Sequence, residues 1–187
     1  MPLHQNTSVD ASKLILGNYK IETSPYASAA GSFTWVNLGA GMVTSFNHAV
    51  EKYDVQAGNA PDPIEGVSKE TFPIEMELIE YDASVLAAVS GGLVTAASTG
   101  TVMTLYGGGN TTLTARAMRL TNTRQISGAT KETIITVWRV TVNQGPSFTA
   151  KSDNDADPIQ VMPLSVLGEE DSTRSVGTQL YTITKTI

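Results

Sequence analysis

Between Thr71 and Tyr81 the chain alternates: Phe72, Ile74, Met76 and Leu78 fall on one parity, Glu75 and Glu77 on the other. Successive side chains of a strand point to opposite faces, so this segment reads as a strand with one buried and one wet face. The next residues change period. Asp82 can cap a helix whose apolar stripe is Val85, Leu86 and Val89, and Gly91-Gly92 stops it. Upstream, Met42 to Gln56 reads as one long strand with apolar residues on both parities. From Ala57 to Glu70 the residues Gly58, Pro61, Pro63 and Gly66 predict a long loop, residues 57–70.

Shorter strands are predicted elsewhere. Lys13 to Leu16 and Tyr19 to Glu22 flank Gly17-Asn18 as a hairpin. Phe33 to Val36 forms another strand, stopped by Gly39 and Gly41. Thr101 to Tyr106 and Thr111 to Thr121 flank a glycine-rich turn at 107–110, a second hairpin signal. Thr133 to Asn143 places Ile134, Trp138, Val140 and Val142 on one parity. Ile159 to Leu167 and Thr178 to Ile187 close the chain. Many short strands and one short helix predict a mainly β fold, a β-sandwich or barrel-like subunit with one short flanking helix. The predicted core is Phe72, Ile74, Met76, Leu78, Leu86, Val89 and Trp138. Residues 1–12 are polar and aperiodic and read as an N-terminal arm, leaving residues 13–187 as a single domain.

Composition narrows the chemistry. The chain has 187 residues and no cysteine, which excludes disulfides, thiolate metal sites and a cysteine nucleophile. No stretch approaches the ~20 apolar residues of a membrane span, and Met1 to Asn6 lacks the pattern of a signal peptide, so folding in a cytoplasm is expected. Twelve basic and 18 acidic side chains give a net charge of −6, which argues against gripping phosphates through a basic face.

No candidate site matches an enzyme. His4 lies in the arm, and His48 reads as an ordinary strand histidine without a carboxylate at ligand spacing. Asp153-Asn154-Asp155-Ala156-Asp157 opens like a calcium loop, but Pro158 stands where glycine is required and Leu164 where the closing glutamate belongs. Glu75 and Glu77, about 7 Å apart on one face, could be read as a glycosidase pair, yet no aromatic residues cluster around them in sequence. No catalytic, cofactor-binding or metal-binding residue is predicted. The charges are segregated: Asp54 to Asp82 holds eight acids and Lys69 alone as a base, while Arg116 to Arg139 holds five bases against Glu132. A solvated surface and self-complementary patches on identical subunits both fit.

The order of elements resembles the bacteriophage tail tube (major tail) proteins. The likeness rests on the long strand from Met42, the loop at 57–70, the alternating strand from Thr71, the helix from Asp82 and the segment Ile159 to Val166, and covers roughly Gly39 to Leu167. It implies a structural virion protein: six-membered rings of subunits stack into a hollow tail tube. Inner sheets of neighbours join into a β-barrel that conducts viral DNA from capsid to host. It implies a location in the virion tail after assembly in the host cytoplasm. Implied partners are further copies of the chain, the tape-measure, terminator and tip proteins, and double-stranded DNA in transit without specific binding. The implied inter-ring loop carries Asp62, Glu65, Lys69 and Glu70, and the implied lumen-facing residues are Glu75 and Glu77. Duplex DNA carries a negative charge about every 1.7 Å, so an acidic bore lets it slide. The competing expectations are a head–tail connector or capsid decoration protein, or a carbohydrate-binding β-sandwich.

Overall fold

The computed structural model describes residues 18–29, 31–55, 64–81, 83–90, 94–99, 102–107, 112–126, 128–144 and 162–186. The arm at 1–12, the strand at 13–16, Asp62, Asp82, the turn at 108–110 and the acidic segment at 153–157 lie outside them. The elements in order are β1 (Asn18–Pro25), β2 (Val36–Phe46), β3 (Ala49–Val55), β4 (Ile64–Tyr81), α1 (Ala83–Val89), β5 (Val94–Thr99), β6 (Val102–Gly107), β7 (Arg116–Ile126), β8 (Ala129–Gln144), β9 (Met162–Glu169) and β10 (Tyr181–Lys185).

Eight of these strands form one antiparallel sheet in the order β10-β8-β7-β1-β2-β4-β3, and β9 pairs with both β4 and β8. The pairings therefore return on themselves through β8, β7, β1, β2, β4 and β9. This corrects the expected architecture. There is one continuous sheet instead of two packed sheets with a flanking helix. Among the described residues no inner sheet is set apart from the rest of this one. The helix is seven residues long, too short to form a layer, and packs chiefly against β5, which pairs with β6 in a separate two-stranded sheet.

The core lies inside this sheet. Phe72, Ile74, Met76 and Leu78 of β4 are buried with Tyr19 and Ile21 of β1, Leu120 of β7, Ile135 and Val137 of β8, and Leu164 of β9. Leu86 and Val89 of the helix join the same cluster. The apolar row of β4 thus packs into a core shared by most of the sheet, and not onto the helix alone.

Several local expectations change for physical reasons. The long strand from Met42 breaks at Asn47-His48 into β2 and β3, and both halves pair along the same β4. The segment Ile64 to Glu70, expected as loop, is the first part of β4, because β3 offers it a partner from Ala49 to Val55. Gly39 and Gly41 do not end a strand; they lie within β2, where Gly41 lets the backbone approach that of β4. The hairpin expected between β6 and β7 is absent: β6 pairs with β5, while β7 is held between β1 and β8.

In β8 the register against β7 slips. Arg116 faces Val140 but Met118 faces Val137, so β8 carries one extra residue. A bulge of this kind reverses which parity points inward. Thr133, Ile135 and Val137 are buried before it, Val140 and Val142 after it. Trp138, expected in the core, sits at the bulge and is only half-buried.

Candidate functional site

The wet face of β4 is built by the sheet on both sides of it. Glu75 is exposed and Glu77 half-buried, while the intervening and flanking Ile74, Met76 and Leu78 are buried. Glu75 lies opposite Ser45 of β2 and Ser165 of β9. Glu77 lies opposite Met42 and Pro163. No cation stands directly across from either carboxylate. A slip in β2 between Val43 and Ser45 turns two hydroxyls onto the row. Ser45 Oγ donates to Glu75 Oε2 at 3.3 Å, and Thr44 Oγ1 to the Glu75 carbonyl at 3.1 Å. The cleft here, about 200 Å³, is lined by Gln144, Pro163 and Ser165 beside the two acids. Among the described residues no aromatic ring lines it, so it offers no platform for a sugar.

The remaining residues expected to act together divide. Glu65, Lys69 and Glu70 lie on β4, facing Asp54, Glu51 and Val50 of β3. Together the two segments make a two-stranded ribbon that leaves Val50, Tyr53 and Val67 exposed. His48 lies in the two-residue gap between β2 and β3, 3.3 Å from Glu70 Oε2 and edge-on to Tyr181. Tyr181 in turn stacks on Phe72 with ring centroids 4.3 Å apart, so the ribbon's base is tied to the core.

A third cluster left no signal in the sequence. Phe33 and Trp35 stack at 5.4 Å, and Phe33 lies 5.8 Å from Trp138, which is about a hundred residues away in the chain. Arg119 sits 4.7 Å over Trp35, and Arg174 sits 3.9 Å over Trp138. Both guanidiniums are anchored by buried acids. Arg119 Nε donates to Glu22 at 2.8 Å, and Lys20 Nζ donates to the same carboxylate at 2.9 Å. Burial pushes the Glu22 carboxyl up, but the bonds from Arg119 and Lys20 prevail and hold it below the usual value. Asp171 is fully buried and receives Thr173 Oγ1, Thr173 N, Tyr26 Oη and Arg174 Nε. Burial again acts upward, and these bonds with the charge of Arg174 bring its carboxyl below the ordinary range.

Among the described residues no group of three or more His, Cys, Asp or Glu is placed to hold a metal ion. No helix there is long and apolar enough to cross a membrane.

No protein-family model matches the chain. No curated protein matches it either. Among solved structures, it is similar to a chain of the anti-feeding prophage baseplate, solved with sixfold symmetry. The two are 4% identical over 95% of this chain and 97% of that one, with a TM-score of 0.47. It is also similar to a chain of the tube-terminating cap of the anti-feeding prophage, at 8% identity, 97% and 100% coverage and a TM-score of 0.46. An Hcp protein aligns at 9% identity over 90% of this chain and 98% of that one, with a TM-score of 0.39. At such identities and scores none of these likenesses bears on function.

Proposed function

We propose that this chain is a structural subunit of a virion tail: six copies form a ring, and the rings stack into a hollow tube that conducts double-stranded DNA. One observation carries the reading. Glu75 and Glu77 stand on the outward face of a strand whose other face is core, with uncharged residues directly opposite on both neighbouring strands. Repeated around a ring, that row lines the bore with carboxylates that repel phosphate. The ribbon of β3 and Ile64 to Glu70, with Glu65, Lys69 and Glu70, packs on the adjacent ring together with the loop containing Asp62. A two-stranded ribbon is marginal alone, and its exposed Val50, Tyr53 and Val67 need cover. The partners are like copies and the other tail proteins, including the tape-measure, terminator and tip proteins. The subunit assembles in the host cytoplasm and ends in the virion tail.

The test is negative-stain electron microscopy of the purified chain over a concentration series. Long hollow tubes are expected. Isolated rings that never stack would favour a connector, and a monomer at every concentration would overturn the tube.

A further inference from the structure

The run of β2 into β3 contains a weak point. Phe46 lies opposite Ile74 and Ala49 opposite Thr71, so both strands keep one register along β4. Asn47 and His48 between them belong to neither strand. Pro73 interrupts the ladder here: Asn47 N donates to its carbonyl at 3.2 Å, but proline has no N–H to return the bond. On its other side β4 pairs with β9 only from Thr71 to Leu78. Among the described residues, Ile64 to Glu70 therefore has β3 as its one strand partner. The ribbon of β3 and Ile64 to Glu70 leaves the closed part of the sheet at the place where the ladder is interrupted.

His48 bridges that place. Its Nε2 is 3.3 Å from Glu70 Oε2 on the ribbon, and its ring stands edge-on to Tyr181 of β10, with centroids 5.8 Å apart. Tyr181 is fixed to the core by its stack on buried Phe72. A cleft of about 500 Å³ opens beside these residues, and Glu170, from the segment after β9, also lines it. Among the described residues, the carboxylates in its wall are Glu70 and Glu170, and His48 alone can oppose them with positive charge. Lys69 and Glu169, next to these acids in sequence, do not line it, and Glu169 pairs with Arg139. Along its own segment the nearest charges to His48 are Glu51 and Lys52 of β3, also outside the cleft.

We propose that His48 is a pH-sensitive latch: the protonated imidazole clamps the β3–β4 ribbon to β10, and the neutral ring releases it to flex at Asn47-His48. An imidazole gains its charge as pH falls from about 8 to about 5. The neutral ring offers Glu70 one ordinary hydrogen bond. The charged ring offers a charge-assisted one, roughly twice as strong, and attracts Glu170 as well. A two-stranded ribbon is marginal alone, so this contact changes how often it opens. Closure strengthens as pH falls through the imidazole range and weakens as pH rises through it. The side chains of His48 and Glu70 are 39% and 35% exposed, which limits the change in opening to about two- to fivefold. The latch belongs to the single chain, so it goes beyond the tube reading and does not depend on it.

Hydrogen exchange of the full chain at low concentration tests it, read as protection factors so that the pH dependence of intrinsic exchange is divided out. From pH 8 to pH 5.5, protection of the amides of β3 and of Ile64 to Glu70 should rise about two- to fivefold relative to those of β7 and β8. His48→Gln keeps a hydrogen-bonding side chain without the titrating charge and should abolish the rise. Glu70→Gln keeps the histidine but removes its nearest anion and should shrink the rise. Wild-type protection of β7 and β8 in both variants establishes that they are folded. A flat wild-type profile, or the full rise in either variant, overturns the latch and leaves the tube reading untouched.

Discussion

Arg174 sits with its guanidinium 3.9 Å over the ring of Trp138 and donates Nε to Asp171 Oδ2 at 3.0 Å. The fully buried carboxylate thereby fixes a cation against an aromatic face, and Tyr26 Oη at 3.0 Å ties the segment after β1 to the same point. Removing the acid leaves an uncompensated buried cation. Asp171→Ala is expected to cost about 3–5 kcal/mol by denaturant unfolding.

The same carboxylate makes stability depend on pH. Asp171 and Glu22 both have folded-state values below the unfolded ones. The unfolded chain then takes up the protons first, so the stabilisation is complete above the ordinary carboxylate range, about pH 4. It is lost as pH falls through the folded-state values. Unfolding followed from pH 7 to pH 2 should show stability dropping at the acid end, and Asp171→Asn should flatten that drop while lowering stability at neutral pH. An equally steep drop in the variant would remove Asp171 as its source.

Within the core, Ile74→Ala or Leu78→Ala should each cost about 2–5 kcal/mol, because both side chains are fully buried and leave a cavity. A loss well under 1 kcal/mol in chemical denaturation would contradict the burial of this face.

Gly41 tests the approach of β2 to β4. A Cβ built there falls 2.5 Å from the carbonyl oxygen of Glu77, a backbone atom held in the sheet. Gly41→Ala should destabilise by about 1–3 kcal/mol, as overpacked sites do. Gly66 is the contrasting case. The atoms nearest a Cβ there belong to Tyr53, a half-exposed side chain that can swing away. Gly66→Val should leave the monomer's stability within about 0.5 kcal/mol and weaken assembly. Light scattering against concentration, run beside a thermal melt, separates the two effects.

Replacing Glu75 and Glu77 together by lysine should still allow tubes to form, since both lie off the core face. DNA passage should slow, and added salt should relieve the defect, because phosphate contacts weaken as salt rises. Ejection rates from virions carrying the double variant, measured at two ionic strengths, decide this. Unchanged rates at low salt would take these residues out of the bore.

The alternation of Phe72 to Leu78 with Glu75 and Glu77 was legible because side-chain direction along a strand is local, and it is set by the period alone. The absence of cysteine and the segregation of charge were likewise properties of the chain itself. Other features depended on partners far away in sequence. Ile64 to Glu70 reads as loop until β3 lies beside it, and the strand read from Met42 to Gln56 keeps one register along β4 but is interrupted at Asn47-His48, where Pro73 has no N–H to offer. The extra residue in β8 exists only relative to β7, and it moves Trp138 out of the core and onto Phe33 and Arg174. Register is a relation between two strands, so no single segment encodes it. Pattern along the chain therefore determined which faces are apolar. The tertiary structure decided which strands meet, and with that the single closed run of pairings and the aromatic–arginine column.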